Sequence, residues 1–219
     1  MNTSRHNGIG MTSQRTRNRL IERLRADGIQ DEVVLAAMNA VPRHIFIDEA
    51  LASRAYDDVS LPLGFGQTIS QPYIVARMIE IMRNGTQLNR VLEIGTGCGY
   101  QAAVLAGVAK EVHSVERIQP LFERATGYLK ELQINNVTLH YADGNMGLPE
   151  VAPFDGIIMA AAATHVPPVL LEQLAVGGRM VLPLGSQEQY LCLIERNAQG
   201  YRETRLDAVR FVPLLMGKA

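Results

Sequence analysis

The chain has 219 residues, 47% of them hydrophobic, with a formal net charge of −1 and two cysteines. That is enough chain for one large domain with a sizeable core, and its charge balance gives no general pull toward nucleic acid or an anionic membrane. No apolar run approaches the roughly 18–20 residues of a membrane span, and the opening residues lack a secretory-type apolar stretch. Cys98 and Cys192 form no C-x-x-C pair, so the expectation is a cytoplasmic protein in a reducing compartment.

Residues 1–13 are polar and read as a flexible tail ahead of a single domain spanning 14–219. From 15 to 26, Leu20, Ile21 and Leu24 sit among five arginines. That spacing predicts an amphipathic helix with a solvated basic face, ended near Gly28. Asp31 predicts the N-cap of a second helix, which Pro42 stops. The stretch 61–72 holds two glycines, Thr68 and Ser70, and reads as a loop. Ser70 is expected to cap the next helix, with Pro72 in its first turn and its end at Asn84-Gly85. Residues 14–70 thus form a helical lead-in with a substrate-side loop, and 71–219 an α/β core.

From Val91 onward strands alternate with helices, the pattern of a doubly wound, Rossmann-like α/β fold with a mostly parallel sheet. Strands are expected at 91–94, 111–116, 137–142, 154–161 and 179–185, with helices after the first, second and fourth. Two last runs, 190–195 and 208–215, lack helical connections and should close the sheet as antiparallel strands.

In such a fold ligands lie beyond the carboxyl ends of the strands. The first strand ends in Gly95, Thr96, Gly97, Cys98 and Gly99, a turn that can bring bare backbone N–H groups to a ligand. The second ends in Glu116, an acid placed to accept both hydroxyls of a ribose. The third ends in Asp143-Gly144, placed to meet an adenine amino group. The dinucleotide fingerprint wants a glycine where Tyr100 stands, and there is no phosphate-binding G-x-x-x-x-G-K-[ST] loop. A G-x-G-x-G turn with a ribose-binding acid fits S-adenosylmethionine, which has no pyrophosphate to cradle.

The run 92–101 (LEIGTGCGYQ) resembles motif I of the S-adenosylmethionine-dependent methyltransferases. Together with 66–72 (GQTISQP), it resembles the protein-L-isoaspartate O-methyltransferase family, whose members repair aged aspartyl and asparaginyl sites in proteins. The resemblance extends through 41–46 and 210–214 and covers nearly everything from 15 to 215. It implies a cofactor, S-adenosylmethionine, lined by Gly95, Thr96, Gly97 and Cys98, with Glu116 on the ribose and Asp143 and Gly144 at the adenine. It implies that Ser70 is the active-site serine, placed to bind the substrate carboxylate, with Thr68, Ile69 and Gln71 shaping the same wall. It implies an unusual order for the last strands. Cys98, Ala142, Leu148, Ala160, Thr164 and His165 depart from the family's usual residues, the last three on the substrate lip.

The implied reaction moves a methyl group to the free α-carboxylate of an L-isoaspartyl residue. That carboxylate is ionised at neutral pH and needs no general base, which agrees with the scatter of His44, His113, His140 and His165 over different elements. No metal is expected. The expected partners are proteins and peptides carrying isoaspartate, with no nucleic acid and no membrane, and the chain is expected to act as a monomer. The alternatives are a methyltransferase acting on a nucleic acid or small molecule, a non-enzymatic scaffold of the same fold, and an NAD-dependent oxidoreductase. Where amine methylases carry Asn/Asp-Pro-Pro-aromatic, this chain reads Ala160-Ala161-Ala162-Ala163-Thr164-His165.

Overall fold

Leu20, Ile21 and Leu24 fall on one face of the first helix, α1 (Gln14–Ala26), and are all buried. Gly28, at φ 106°, lets the chain turn out of it. Asp31 caps α2 (Glu32–Ala40) as expected, accepting from the Val33 and Val34 N–H groups at 3.0 and 3.4 Å. The same carboxylate pairs with Arg83 at 2.7 Å, which pins the cap to a later helix. The computed structural model describes residues 8–219; residues 1–7 of the expected tail lie outside the described residues. Gly10–Thr12 form a short 3-10 turn, and two more follow α2 at Arg43–Phe46 and Glu49–Arg54.

The expected loop before the third helix is a two-stranded hairpin, β1 (Leu61–Gly64) with β2 (Gln67–Ile69). Its turn runs through Gly64, Phe65 and Gly66, all at positive φ. The next helix, α3 (Pro72–Arg83), is capped differently from the expectation: Gln71, not Ser70, occupies the N-cap position. Asp58 takes over the cap's duty from 15 residues upstream, accepting from the Tyr73 N–H and from the Gln71 side chain at 2.8 Å each. The helix closes at Asn84 in the left-handed region, φ 46° and ψ 41°, its N–H on the Glu80 carbonyl at 2.8 Å.

Seven strands form the main sheet: β3 (Leu88–Ile94), β4 (Ala109–Glu116), β5 (Val137–Tyr141), β6 (Phe154–Met159), β7 (Leu174–Gly185), β8 (Gln189–Asn197) and β9 (Gly200–Val209). Their order is β5-β4-β3-β6-β7-β8-β9; the first five are parallel, and β8 and β9 run antiparallel. Helices α4 (Tyr100–Ala106), α5 (Gln119–Glu131) and α6 (Pro168–Gln173) fall after β3, β4 and β6. Apolar side chains alternate between two cores. Val91, Ile158 and Val181 face one, with α1 to α5; Leu92, Ile94, Ile157, Met159 and Met180 face the other.

Two strands differ from expectation. β7 begins at Leu174, directly after α6, and passes Gly177 at φ 84° instead of starting beyond it. The last strand is Gly200–Val209, not 208–215. Arg202, Glu203, Arg205 and Asp207 make it read as solvated, which suits an edge strand with one wet face. The apolar run 211–215 leaves the sheet and straps its carboxyl end, where the Ala162 N–H donates to Val212 O and the Leu214 N–H to Ala162 O, both at 2.8 Å.

Candidate active site

The strand order reverses between β3 and β6, and the glycine turn opens onto that crevice. Gly95, Gly97 and Gly99 all have positive φ, of 94°, 56° and 90°. The Gly95 and Thr96 N–H groups share the Val115 carbonyl at 2.9 and 3.2 Å, which lashes the turn to β4. Gly99 caps α4, and a Cβ there would stand 3.1 Å from that of Ala125. So Gly99 serves helix packing, while Gly95 and Gly97 line the cavity.

Glu116 is buried at the end of β4. Its Oε1 accepts from the Arg117 and Ile118 N–H groups at 2.9 Å each, and its Oε2 from the Gly97 N–H at 2.7 Å. Burial pushes this carboxyl up, against the pull of the three donors. Of its roughly four acceptor positions, one remains, on Oε2. The carboxylate therefore keeps acceptor capacity on Oε2, at the cavity wall.

Asp143 is held by other donors. Its Oδ1 accepts from the Asn145 backbone and side chain at 2.9 Å, and its Oδ2 from the Gly217 N–H at 2.7 Å. Burial works against its charge, but these donors outweigh it and hold the carboxyl below the usual range. Its role in the fold is to pin the C-terminal strap, and Gly144 alone of the pair lines the cavity.

One cavity gathers Thr68, Ile69 and Ser70 from the hairpin, Gly95 to Cys98, Glu116, Gly144, Ala160 and the strap from Val212 to Leu215. A second groove of about 450 Å³ shares Thr68, Ser70, Ala160 and Val212 with it and adds Gln71 and Arg210. Among the described residues the Ser70 hydroxyl takes no hydrogen-bond partner; only its carbonyl is engaged, by Arg43 at 2.7 Å. Thr164 and His165 bond to each other at 3.1 Å and line a different groove. Cys98 is buried, and burial pushes its thiol up to about 11, so it is neutral wall rather than nucleophile. His113 and His140, far apart in sequence, meet across β4 and β5 at 3.0 Å, outside the cavity lining.

Sequence reasoning missed a buried chain beneath the turn. Ser114 Oγ donates to Glu93 Oε2, so Thr96 Oγ1, 2.5 Å from Ser114 Oγ, is the donor to it. Glu93 Oε1 and Gln101 Nε2 are buried without a well-aligned hydrogen bond, though the two side chains interact beneath the turn, and Gln101 lines the cavity. A buried amide on the wall and two positive-φ glycines that leave bare backbone on the cavity fit a polar ligand laid on the turn. The signal in the sequence was a charged residue inside an otherwise apolar strand.

Burial pushes Glu93 up to about 8 from 4.5. Within that window the folded protein keeps a proton that the unfolded chain has released, so stability attributable to Glu93 falls as pH rises through it. Glu93→Gln removes this titration. Its melting temperature should gain on wild type between about pH 5 and about pH 8; a difference flat across that range would show Glu93 ionised in the fold.

Comparison with known proteins agrees with this geometry. The family model for protein-L-isoaspartate(D-aspartate) O-methyltransferase matches residues 14–219. A protein-L-isoaspartate O-methyltransferase of Methylobacillus flagellatus is 66% identical over 221 residues, covering 99% of each chain. One from Dechloromonas aromatica is 66% identical over 211 residues, covering 96% of this chain and 98% of its own. A solved protein-L-isoaspartate O-methyltransferase superposes with a TM-score of 0.83 at 30% identity, covering 92% of this chain and 67% of that one. A structure from Plasmodium falciparum assigned to the same enzyme class, in complex with S-adenosyl-L-homocysteine, gives 0.76 at 27%, covering 90% and 97%. By sequence and by fold alike, the chain belongs to the protein-L-isoaspartate O-methyltransferase family.

Proposed function

We propose that this protein is an S-adenosylmethionine-dependent carboxyl methyltransferase that esterifies the free α-carboxylate of L-isoaspartyl residues in proteins and peptides. The observation that carries the acceptor side is the Ser70 hydroxyl, relieved of cap duty by Asp58, on the wall shared by the turn's cavity and the outer groove. When bound, the cofactor supplies an electrophilic methyl: its carbon–sulfur bond breaks as the carbon–oxygen bond to the acceptor forms, and sulfonium and carboxylate charges cancel. Ser70 Oγ–H holds one acceptor oxygen, which leaves the other free to attack. Thr68, Ile69 and Gln71 shape the wall beside it. Gly95, Thr96, Gly97 and Cys98 carry the cofactor's amino-acid end, Glu116 one ribose hydroxyl, and Gly144 the base, with Asp143 supporting from behind. The strap residues Val212 to Leu215 exclude water from the reacting atoms.

On this reading residues 14–219 work as one methyltransferase unit, 14–70 on the acceptor side and 71–219 on the donor side. The protein acts in the cytoplasm as a monomer, without nucleic-acid or membrane partners. In support, its net charge is −1, both cysteines are free and buried, and no helix among the described residues is long and apolar enough to cross a membrane.

The test offers labelled S-adenosylmethionine with an isoaspartyl peptide and its aspartyl twin. Base-labile label on the isoaspartyl peptide alone is expected; label on neither sinks the activity, and equal label on both sinks the specificity. Ser70→Ala loses a hydrogen bond to a charged group, so kcat/KM for the peptide should fall about 10- to 100-fold while cofactor affinity stays within about threefold. Unchanged turnover would reduce Ser70 to a loop residue.

A further inference from the structure

Arg43 is fully buried, yet among the described residues no carboxylate lies within ion-pair distance of it. Its partners are backbone carbonyls: Nε donates to Ala55 O at 2.9 Å, and Nη2 to Ser70 O at 2.7 Å and Val59 O at 3.5 Å. Nη1 makes no well-aligned hydrogen bond, although the Tyr100 hydroxyl interacts with the guanidinium. The guanidinium lies over the Tyr100 ring, 4.8 Å from its centroid. Burying an unpaired charge is costly, and an apolar side chain of similar volume would fill the space without that cost.

Two contacts explain its place. Ser70 ends the acceptor loop, and Tyr100 is the first residue of α4 after the glycine turn; both line the cavity. Arg43 thus bridges the acceptor side and the donor side from behind the wall. The ligands of that cavity, on the reading above, each carry a carboxylate, and the cation behind the wall has no acid of its own to neutralise it.

We propose that Arg43 is a positioning residue for the methyl transfer: a buried cation that fixes the Ser70 loop against the head of α4 and draws the acceptor carboxylate between them. The proposal rests on the methyltransferase reading. A planar fork suits it, since one group must reach two separate carbonyls and stack on a ring.

The experiment measures kcat and KM for an isoaspartyl peptide, and S-adenosyl-L-homocysteine affinity by calorimetry, for wild type, Arg43→Met and Arg43→Lys. For Arg43→Met, kcat/KM should fall about 100-fold with cofactor affinity within about threefold. Arg43→Lys restores charge without the fork, so KM should return to within about threefold of wild type while kcat stays about tenfold low. A folded Arg43→Met with wild-type kcat/KM overturns the proposal. So does a variant losing turnover and cofactor affinity by the same factor, the mark of general loosening. If Arg43→Met shows no cooperative melt, Arg43→Lys decides: wild-type kcat overturns the proposal, and a tenfold loss at unchanged cofactor affinity upholds it. Wild type that methylates no isoaspartyl peptide defeats the functional reading, and with it the proposal; an active wild type confines any failure to Arg43.

Discussion

Glu116→Gln should weaken S-adenosyl-L-homocysteine binding by at least about 100-fold, a larger loss than an isosteric amide usually causes. Both carboxylate oxygens accept backbone N–H groups, two on Oε1 and one on Oε2. An amide has one acceptor end. If its oxygen serves Arg117 and Ile118, its NH₂ confronts the Gly97 N–H; if it serves Gly97, two donors are stranded. In the first case the glycine turn keeps only its Val115 ties to β4; in the second the Arg117 and Ile118 N–H groups lose their acceptor. In both, the lone pair a ribose hydroxyl would need is lost or displaced. Each stranded buried donor costs about 1–3 kcal/mol, so the melting temperature should fall as well. Glu116→Asp keeps two acceptors on a shorter arm and should sit between. Calorimetry on the three proteins checks the order, and an amide variant binding within twofold of wild type would show that the turn holds itself.

Gly99→Val should be the most damaging change in the glycine turn, although Gly99 need not touch the cofactor. Two penalties combine. A β-branched residue at φ 90° carries backbone strain of about 1–3 kcal/mol. The new Cβ, 3.1 Å from Ala125 Cβ, forces α4 away from α5 at a further 1–3 kcal/mol or about that. Because Gly99 accepts from the Ala103 N–H and donates to Thr96 O, both at 2.9 Å, the shift passes into the turn itself. We expect a melting temperature lower by more than about 5 °C, together with at least tenfold weaker cofactor binding. Gly177→Ala is the control. At φ 84° with nothing within 4 Å of its Cβ, it carries the strain alone. Equal losses in the two variants would mean that the approach to Ala125 is unimportant.

How legible all this was depended on where the determining contact lay. Strands β3, β4 and β6 announce themselves because buried apolar runs are bracketed by turn residues, and the glycine turn because positive φ leaves few other choices. The hairpin before α3 was hidden: two strands of four and three residues carry too little periodicity to be told from a loop. Ser70 looked like a cap because Ser before Pro usually is one, and nothing local reveals that Asp58 supplies the acceptor from 15 residues away. The hold on Asp143 was hidden as well, since its partner Gly217 lies 74 residues on. Glu93 and Arg43 were passed over for a common reason: a charge in an apolar setting shows its meaning only once the fold has denied it a counter-ion.

The left-handed end of α3 has a chemical consequence. A helix closing in that region favours glycine or asparagine, and here Asn84 takes the position, with Gly85 after it, both exposed. Asn followed by Gly is the pairing in which the next residue's amide nitrogen meets least hindrance on its way to the side-chain carbonyl. Ring closure there expels ammonia and leaves a succinimide, whose hydrolysis gives isoaspartate. A preference imposed by backbone geometry thus places at 84–85, on the surface, a sequence prone to the lesion for which the chain's relatives are named.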